Sequence, residues 1–128
     1  MNTVIIGVGS NINPQENIAR AKAIISSHHI LLSESQFIET TPIGVKNQSN
    51  FLNGAFLAQT TFDRSAFNNY LKSLEEQLGR KPSKIKGGPR TIDLDIIVWN
   101  NEVVHPDFQM RDFVRNSVLE LLPKLSLP

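Results

Sequence analysis

The sequence predicts an α+β fold, a ferredoxin-like β-α-β-β-α-β layered sandwich with a mostly antiparallel sheet plus a short C-terminal helix. Four strand-like stretches flank two segments whose apolar residues recur at helical spacing. Right-handed crossovers then place both long helices on one face of the sheet and leave the other face for loops and ligands. We expect one domain, residues 1–128, because the chain is long enough for one core.

The first half of the chain supplies a strand, a helix and a second strand. Thr3–Val8 is an apolar run typical of a buried strand. Asn13 can cap the first helix, since Pro14 suits its first position and Glu16 can complete a capping box. The residues that follow at helical spacing are Ile18, Ala21, Ile25 and His28. The second strand is predicted over Ile30–Thr41.

The second half repeats this order and adds the C-terminal helix. Phe51–Thr61 is the third predicted strand, and Asp63 is the expected cap of the second helix. That helix has one apolar stripe, formed by Phe67, Leu71, Leu74 and Leu78. Gly79 ends it. Thr91–Trp99 alternates as a strand does, and Asp112–Leu122 has a helical pattern.

The composition narrows the class of protein. The net charge is only +1, so overall electrostatics indicate no nucleic-acid partner. Cysteine is absent, which excludes disulfides and thiolate metal ligands. No apolar run reaches membrane-spanning length, and the N-terminus lacks a signal-peptide pattern. We therefore expect a cytoplasmic, monomeric protein with no membrane partner.

A pair of carboxylates on the fourth strand is the strongest chemical signal. Asp93 and Asp95 are two residues apart, so their side chains point to the same face. Two adjacent carboxylates repel each other unless a cation lies between them. Mg²⁺ suits this role, since it binds through one or two carboxylates plus substrate phosphates.

The loop before this strand is strongly basic. Residues 80–90 contain five Lys or Arg and no acid, and Gly and Pro make the segment a loop. Together with Asp93 and Asp95, it predicts a polyphosphate held by metal on one side and by cations on the other. The alternative to a phosphate site is that the two features are unrelated. The basic loop is then simply solvated, and the carboxylate pair has a structural role.

The segment Gly-Pro-Arg-Thr-Ile-Asp-Leu-Asp-Ile, residues 88–96, resembles the signature of the 6-hydroxymethyl-7,8-dihydropterin pyrophosphokinase family of folate biosynthesis. Five further segments resemble the same family in the same order along the chain. They are residues 7–11, 39–44, 51–55, 78–80 and 111–114.

The resemblance implies an ATP-dependent diphosphotransferase with two Mg²⁺ ions. Asp93 and Asp95 match the metal ligands, and Asp95 is counted with Arg80 and Arg90 as catalytic. The matching ATP-binding residues are Arg80, Arg90, His105 and Arg111. Lys84 can add positive charge to the same loop.

The pterin site is also implied by the resemblance. Phe51 and Phe113 match positions that flank the flat ring, whereas without the resemblance both would be interpreted as core phenylalanines. Asn53 shares a strand face with Phe51 and can pair with the pterin edge. The remaining members of this predicted set are Thr40, Thr41, Pro42 and Ile43. Glu75 resembles a family site acid, but an exposed helical glutamate is the commoner case.

Two departures from the family pattern support an alternative. Gly87 stands where the family commonly has a large residue, often Trp, and the segment 100–105 is short. A compact relative that binds nucleotide or pterin, with weak, altered or no transferase activity, is the second interpretation. The third is an RNA-binding module, because this element order also serves RNA recognition.

Overall fold

The computed structural model describes residues 1–42, 47–79 and 90–124. The strands are β1 (Asn2–Ser10), β2 (Ile30–Glu34), β3 (Ile38–Thr40), β4 (Phe51–Thr60), β5 (Asp93–Trp99) and β6 (Glu102–Val103). The helices are α1 (Pro14–His28), α2 (Arg64–Gln77), α3 (Asp107–Met110) and α4 (Asp112–Leu121), followed by a short 3₁₀ turn, Leu122–Lys124.

The sheet confirms the predicted fold class. Its strand order is β2-β4-β1-β5-β6, β3 also pairs with β4, and each of these pairs is antiparallel. Both long helices pack on one face, where apolar residues of α1 and α2 meet those of β1, β4 and β5. Ile25, Phe67, Leu71 and Leu94 are fully buried there.

The opposite face is only partly free, and here the expectation of an open face was wrong. Val118 and Leu121 of α4 pack against Ile5, Leu57 and Ile97 and form a second, smaller core. This amphipathic helix covers part of the face because its apolar stripe requires a partner surface. The site described below lies over another part of the same face.

The predicted second strand is two strands rather than one. Between β2 and β3, Ser35 is buried, and its backbone N–H donates to the carbonyl of Ala55 at 2.9 Å. Its hydroxyl oxygen accepts from the Ala55 N–H at 2.8 Å. A side chain thus takes the place of a backbone acceptor, which interrupts the regular strand at that point.

The two predicted helix caps have opposite outcomes. Asp63 caps α2, because its carboxylate accepts from the N–H of Ala66 at 2.8 Å. The cap predicted at Asn13 is wrong: its φ is 41°, in the left-handed region, and its side chain makes no capping bond. Asn tolerates this conformation, but a side-chain cap needs an extended one.

Among the residues that the structure describes, no helix combines the length and apolar character that a membrane crossing requires.

Candidate active site

A cavity of about 350 Å³ lies between the sheet and the start of α4. Cross-strand register builds its floor from three strands. Gly9 of β1 lies opposite Asn53 on one side and Asp93 on the other. Two residues earlier on β1, Gly7 lies opposite Asp95. We call this space the site cavity.

The two glycines on β1 keep the site cavity open. A Cβ on Gly9 would lie 2.5 Å from Oδ1 of Asn53, and one on Gly7 would lie 3.1 Å from Cγ1 of Ile97. A side chain at either position would fill space that the neighbouring strands now use. The sequence interpretation missed this role, although two alternate glycines inside an apolar strand were a usable signal.

One end of the site cavity holds most of the predicted pterin residues. The lining includes Thr40, Thr41, Phe51, Asn53 and Phe113. The Asn53 amide donates from Nδ2 to the Thr40 hydroxyl at 2.6 Å, which fixes its orientation. Aromatic rings and oriented amide groups together suit a flat heterocycle with polar edges.

Two predicted pterin residues are not part of this lining. Pro42 is buried beside the cavity and is not among the residues that line it. Ile43 lies outside the described residues.

The other end of the site cavity is acidic. Asp93 and Asp95 both line it, so the prediction that they share a strand face is confirmed. Asp107, at the start of α3, adds a third carboxylate to the same lining. Carboxylate oxygens are the donors that Mg²⁺ prefers, so these residues fit that ion chemically.

A second cavity, of about 480 Å³, meets the first at Asp95. Arg64, Ser65 and Asn68 at the start of α2 line it together with His105. The sequence interpretation did not single out these three α2 residues. Their polar groups have no distinguishing motif, and only the packing of α2 beside β5 brings them to the site.

His105 reaches the site in spite of the short preceding segment. The 100–101 turn and β6 return the chain along β5, and Asp95, His105 and Asp107 then place possible ligand atoms within 4.8 Å of one another. The Asp107 N–H donates to Nδ1 of His105 at 3.1 Å. In the neutral ring the proton is then on Nε2, which makes that nitrogen a hydrogen-bond donor for a ligand rather than a metal ligand.

Glu75 is buried, not exposed, and it acts with Lys72 at the edge of β5. Glu75 is 4% exposed, and its Oε2 accepts from the Leu94 N–H at 2.7 Å. The Lys72 ammonium donates to the Leu94 carbonyl at 2.8 Å and to Glu75 and Asp95 at 3.2 Å each. Side chains of α2 therefore satisfy backbone groups of β5 at Leu94, while β6 pairs with β5 only at Val98 and Trp99.

The carboxylates around Lys72 determine its charge state. Burial lowers the pKa of the Lys72 ammonium, but Asp95 and Glu75 raise it by more, and the net pKa lies above its usual value. Lys72 therefore stays charged beside Asp95. The sequence interpretation missed it, because a lysine three residues before a glutamate on a helix is ordinarily a surface pair.

The predicted phosphate-binding cations are only partly described. Arg111 lines the site cavity. Arg90 is held at the end of β1, since its N–H donates to Oδ1 of Asn11 at 2.8 Å and its carbonyl accepts from the Asn11 N–H at 3.1 Å. Arg80 and Lys84, together with Gly87, lie outside the described residues.

Comparison with known proteins identifies the family. The model of the 7,8-dihydro-6-hydroxymethylpterin-pyrophosphokinase family matches residues 5–123. The chain belongs to this family. It is 34% identical to a relative from Aquifex aeolicus, with 100% of this chain and 85% of the relative covered.

Two other relatives agree. One from Bacillus subtilis is 31% identical, covering 94% of this chain and 78% of its own length. One from Haemophilus influenzae is 31% identical, and the match covers 100% of this chain and 86% of that relative. All three are named 2-amino-4-hydroxy-6-hydroxymethyldihydropteridine pyrophosphokinase. The family resemblance found in the sequence is confirmed.

Proposed function

We propose that this protein transfers diphosphate from ATP to the hydroxymethyl oxygen of 6-hydroxymethyl-7,8-dihydropterin, releasing AMP, as a step of folate biosynthesis. The observation that carries the proposal is the site cavity itself. It joins an aromatic and amide end suited to a pterin to an acidic end suited to Mg²⁺ and phosphates. Family membership supports the same reaction.

The pterin is held at the aromatic end. Phe51 and Phe113 contact its faces, while the Asn53 amide, oriented by Thr40, pairs with its edge. Thr41 completes that edge. This orientation directs the hydroxymethyl group towards Asp93 and Asp95, where the reaction takes place.

Asp93 and Asp95 hold Mg²⁺, and the third carboxylate, Asp107, makes two ions reasonable. An Mg²⁺ ion held by these carboxylates would neutralise phosphate charge and help to align the β-phosphorus for attack. A bond forms between the pterin oxygen and the β-phosphorus as the bond to the bridging oxygen of AMP breaks. In this proposal Asp95 accepts the hydroxyl proton.

The cations stabilise the charge that develops on the leaving oxygen. Arg111 acts from the site cavity, and Arg90 acts from the end of β1, joined in our proposal by Arg80 and Lys84. The second cavity, with His105 at its edge, is the proposed position of the nucleoside. The Nε2–H of His105 donates a hydrogen bond there.

The alternative interpretations receive less support. An RNA-binding module needs an open sheet face, whereas α4 packs on that face here. The interpretation as a compact relative with weak or no transferase activity depends on two features. One is Gly87, which lies outside the described residues. The other is the short segment 100–105, and His105 at its end nevertheless lies close to Asp95 and Asp107. Monomeric state, cytoplasmic location and the absence of a nucleic-acid partner remain predictions.

The test is AMP formation by purified protein with MgATP and 6-hydroxymethyl-7,8-dihydropterin. We expect AMP only when both Mg²⁺ and the pterin are present. Asp93→Ala and Asp95→Ala each should lower the rate by on the order of 100-fold or more. Glu102→Ala is the control, because Glu102 is an exposed carboxylate on β6. Pterin-independent AMP release, or near-normal rates in both aspartate variants, would overturn the assignment.

A further inference from the structure

The Lys72 ammonium directly contacts Asp95, one of the two predicted metal ligands. It lies 3.2 Å from Oδ1 of Asp95 and 3.2 Å from Oε2 of Glu75. The Lys72 side chain is 42% exposed and the Asp95 side chain 29%, so the pair is in contact with solvent rather than enclosed in the core. Glu75, by contrast, is buried.

The geometry gives the ammonium two separate tasks. Its bond to the Leu94 carbonyl, at 2.8 Å, satisfies the edge of β5 and is structural. Its contact with Asp95 is not needed to satisfy a buried polar group, because that carboxylate lines the site cavity and is accessible to water. That contact neutralises part of the negative charge that would otherwise attract a divalent cation.

We propose that Lys72 is a built-in counter-cation of the metal site, which occupies Asp95 while no divalent cation is bound and competes with that cation for the carboxylate. The inference rests on the proposed metal-binding role of Asp95. In this view the contact with Lys72 holds the Asp95 carboxylate in place between turnovers. It also weakens the binding of a free metal ion relative to one that arrives with a polyphosphate.

The size of the effect follows from exposure. A fully buried pair would interact strongly, but solvent screens the Lys72–Asp95 contact. We therefore expect removal of the positive charge to tighten metal binding by about tenfold, not by several orders of magnitude. Electrostatic competition predicts this direction, whereas a purely structural lysine predicts unchanged or weaker binding.

The experiment measures binding of Mn²⁺ alone to the intact protein, without nucleotide or pterin, from the electron paramagnetic resonance signal of the free ion. We expect Lys72→Gln and Lys72→Met to bind Mn²⁺ about tenfold more tightly than the wild type. Lys72→Arg keeps the charge and should stay near the wild-type value. Lys22→Gln is the matched control, since Lys22 forms a comparable exposed pair with Glu34 on the far side of α1.

Thermal unfolding supplies a second readout if a variant is destabilised. Saturating Mn²⁺ should raise the unfolding temperature more in Lys72→Gln than in the wild type, because a tighter ligand stabilises the fold more. Unchanged or weaker Mn²⁺ affinity in both neutral variants overturns the proposal, as does tightening in Lys72→Arg. Asp95→Asn separates the metal-binding role of Asp95 from the counter-cation role of Lys72. If this variant still binds Mn²⁺, the metal site itself is wrongly assigned. If it loses Mn²⁺ binding while the neutral Lys72 variants bind as the wild type does, only the role of Lys72 is wrong.

Discussion

Gly9→Ala should weaken pterin binding with only a modest effect on the fold. The new methyl group would lie 2.5 Å from Oδ1 of Asn53 and 3.9 Å from Cδ2 of Phe51. Only the first contact is too close, so the Asn53 amide must move by several tenths of an ångström. Its bond to the Thr40 hydroxyl, now 2.6 Å, cannot stay as it is. The amide that we expect to pair with the pterin edge then loses its orientation.

The magnitudes distinguish binding from stability. Losing one or two hydrogen bonds to the pterin costs about 1–3 kcal/mol, which is about 5- to 150-fold in affinity. For the fold, crowding costs about 1–3 kcal/mol, and the lower entropy of the unfolded alanine chain offsets about 0.4–1 kcal/mol of this. We therefore expect the free energy of unfolding to fall by about 0.5–2 kcal/mol.

The assay is calorimetric titration with pterin in the presence of a non-hydrolysable ATP analogue, together with urea unfolding. Leu71→Ala is the control, because Leu71 is fully buried in the core between the helices and the sheet and does not line the site cavity. That variant should lose stability but, while folded, bind pterin normally. Wild-type pterin affinity in Gly9→Ala would refute the role of Asn53, and an equal loss of ATP-analogue affinity would show that the damage is not specific to the pterin end.

Three further predictions concern the fold around the site. Asp63→Ala removes the cap on the Ala66 N–H and should lower the free energy of unfolding in urea by about 1 kcal/mol, while Asp63→Asn should recover most of it. Burial, and then His28, lowers the pKa of His29 from its ordinary 6.5, so the unfolded chain binds the proton more readily. The contribution of neutral His29 to the free energy of unfolding should be fully present above pH 6.5 and decrease as the pH drops below it. This decrease should be smaller in His29→Leu, and equal pH profiles of the two proteins would contradict the prediction. Glu75→Leu leaves the buried Leu94 N–H without its acceptor and should cost about 1–3 kcal/mol, whereas stability near that of the wild type would mean that another group replaces the carboxylate.

The order of strands and helices followed from local sequence patterns. Alternation in Thr91–Trp99 was enough to place Asp93 and Asp95 on one face, because side-chain direction in a strand depends only on residue parity. The stripe that starts at Phe67 was similarly enough to define α2. The cap at Asn13 and the continuous strand Ile30–Thr41 were wrong, since a left-handed backbone and a buried serine leave no periodic signal.

Tertiary structure alone decided how the site is assembled. The site-cavity floor exists because β1 pairs with β4 and β5 in a register that sets Gly9 between Asn53 and Asp93. His105 comes to Asp95 through the turn before β6, and Lys72 reaches Asp95 only because α2 packs beside β5. These contacts join residues far apart in the chain. Periodicity reports the direction of a side chain along its own element, whereas its partner depends on strand register and helix packing, which the whole fold determines.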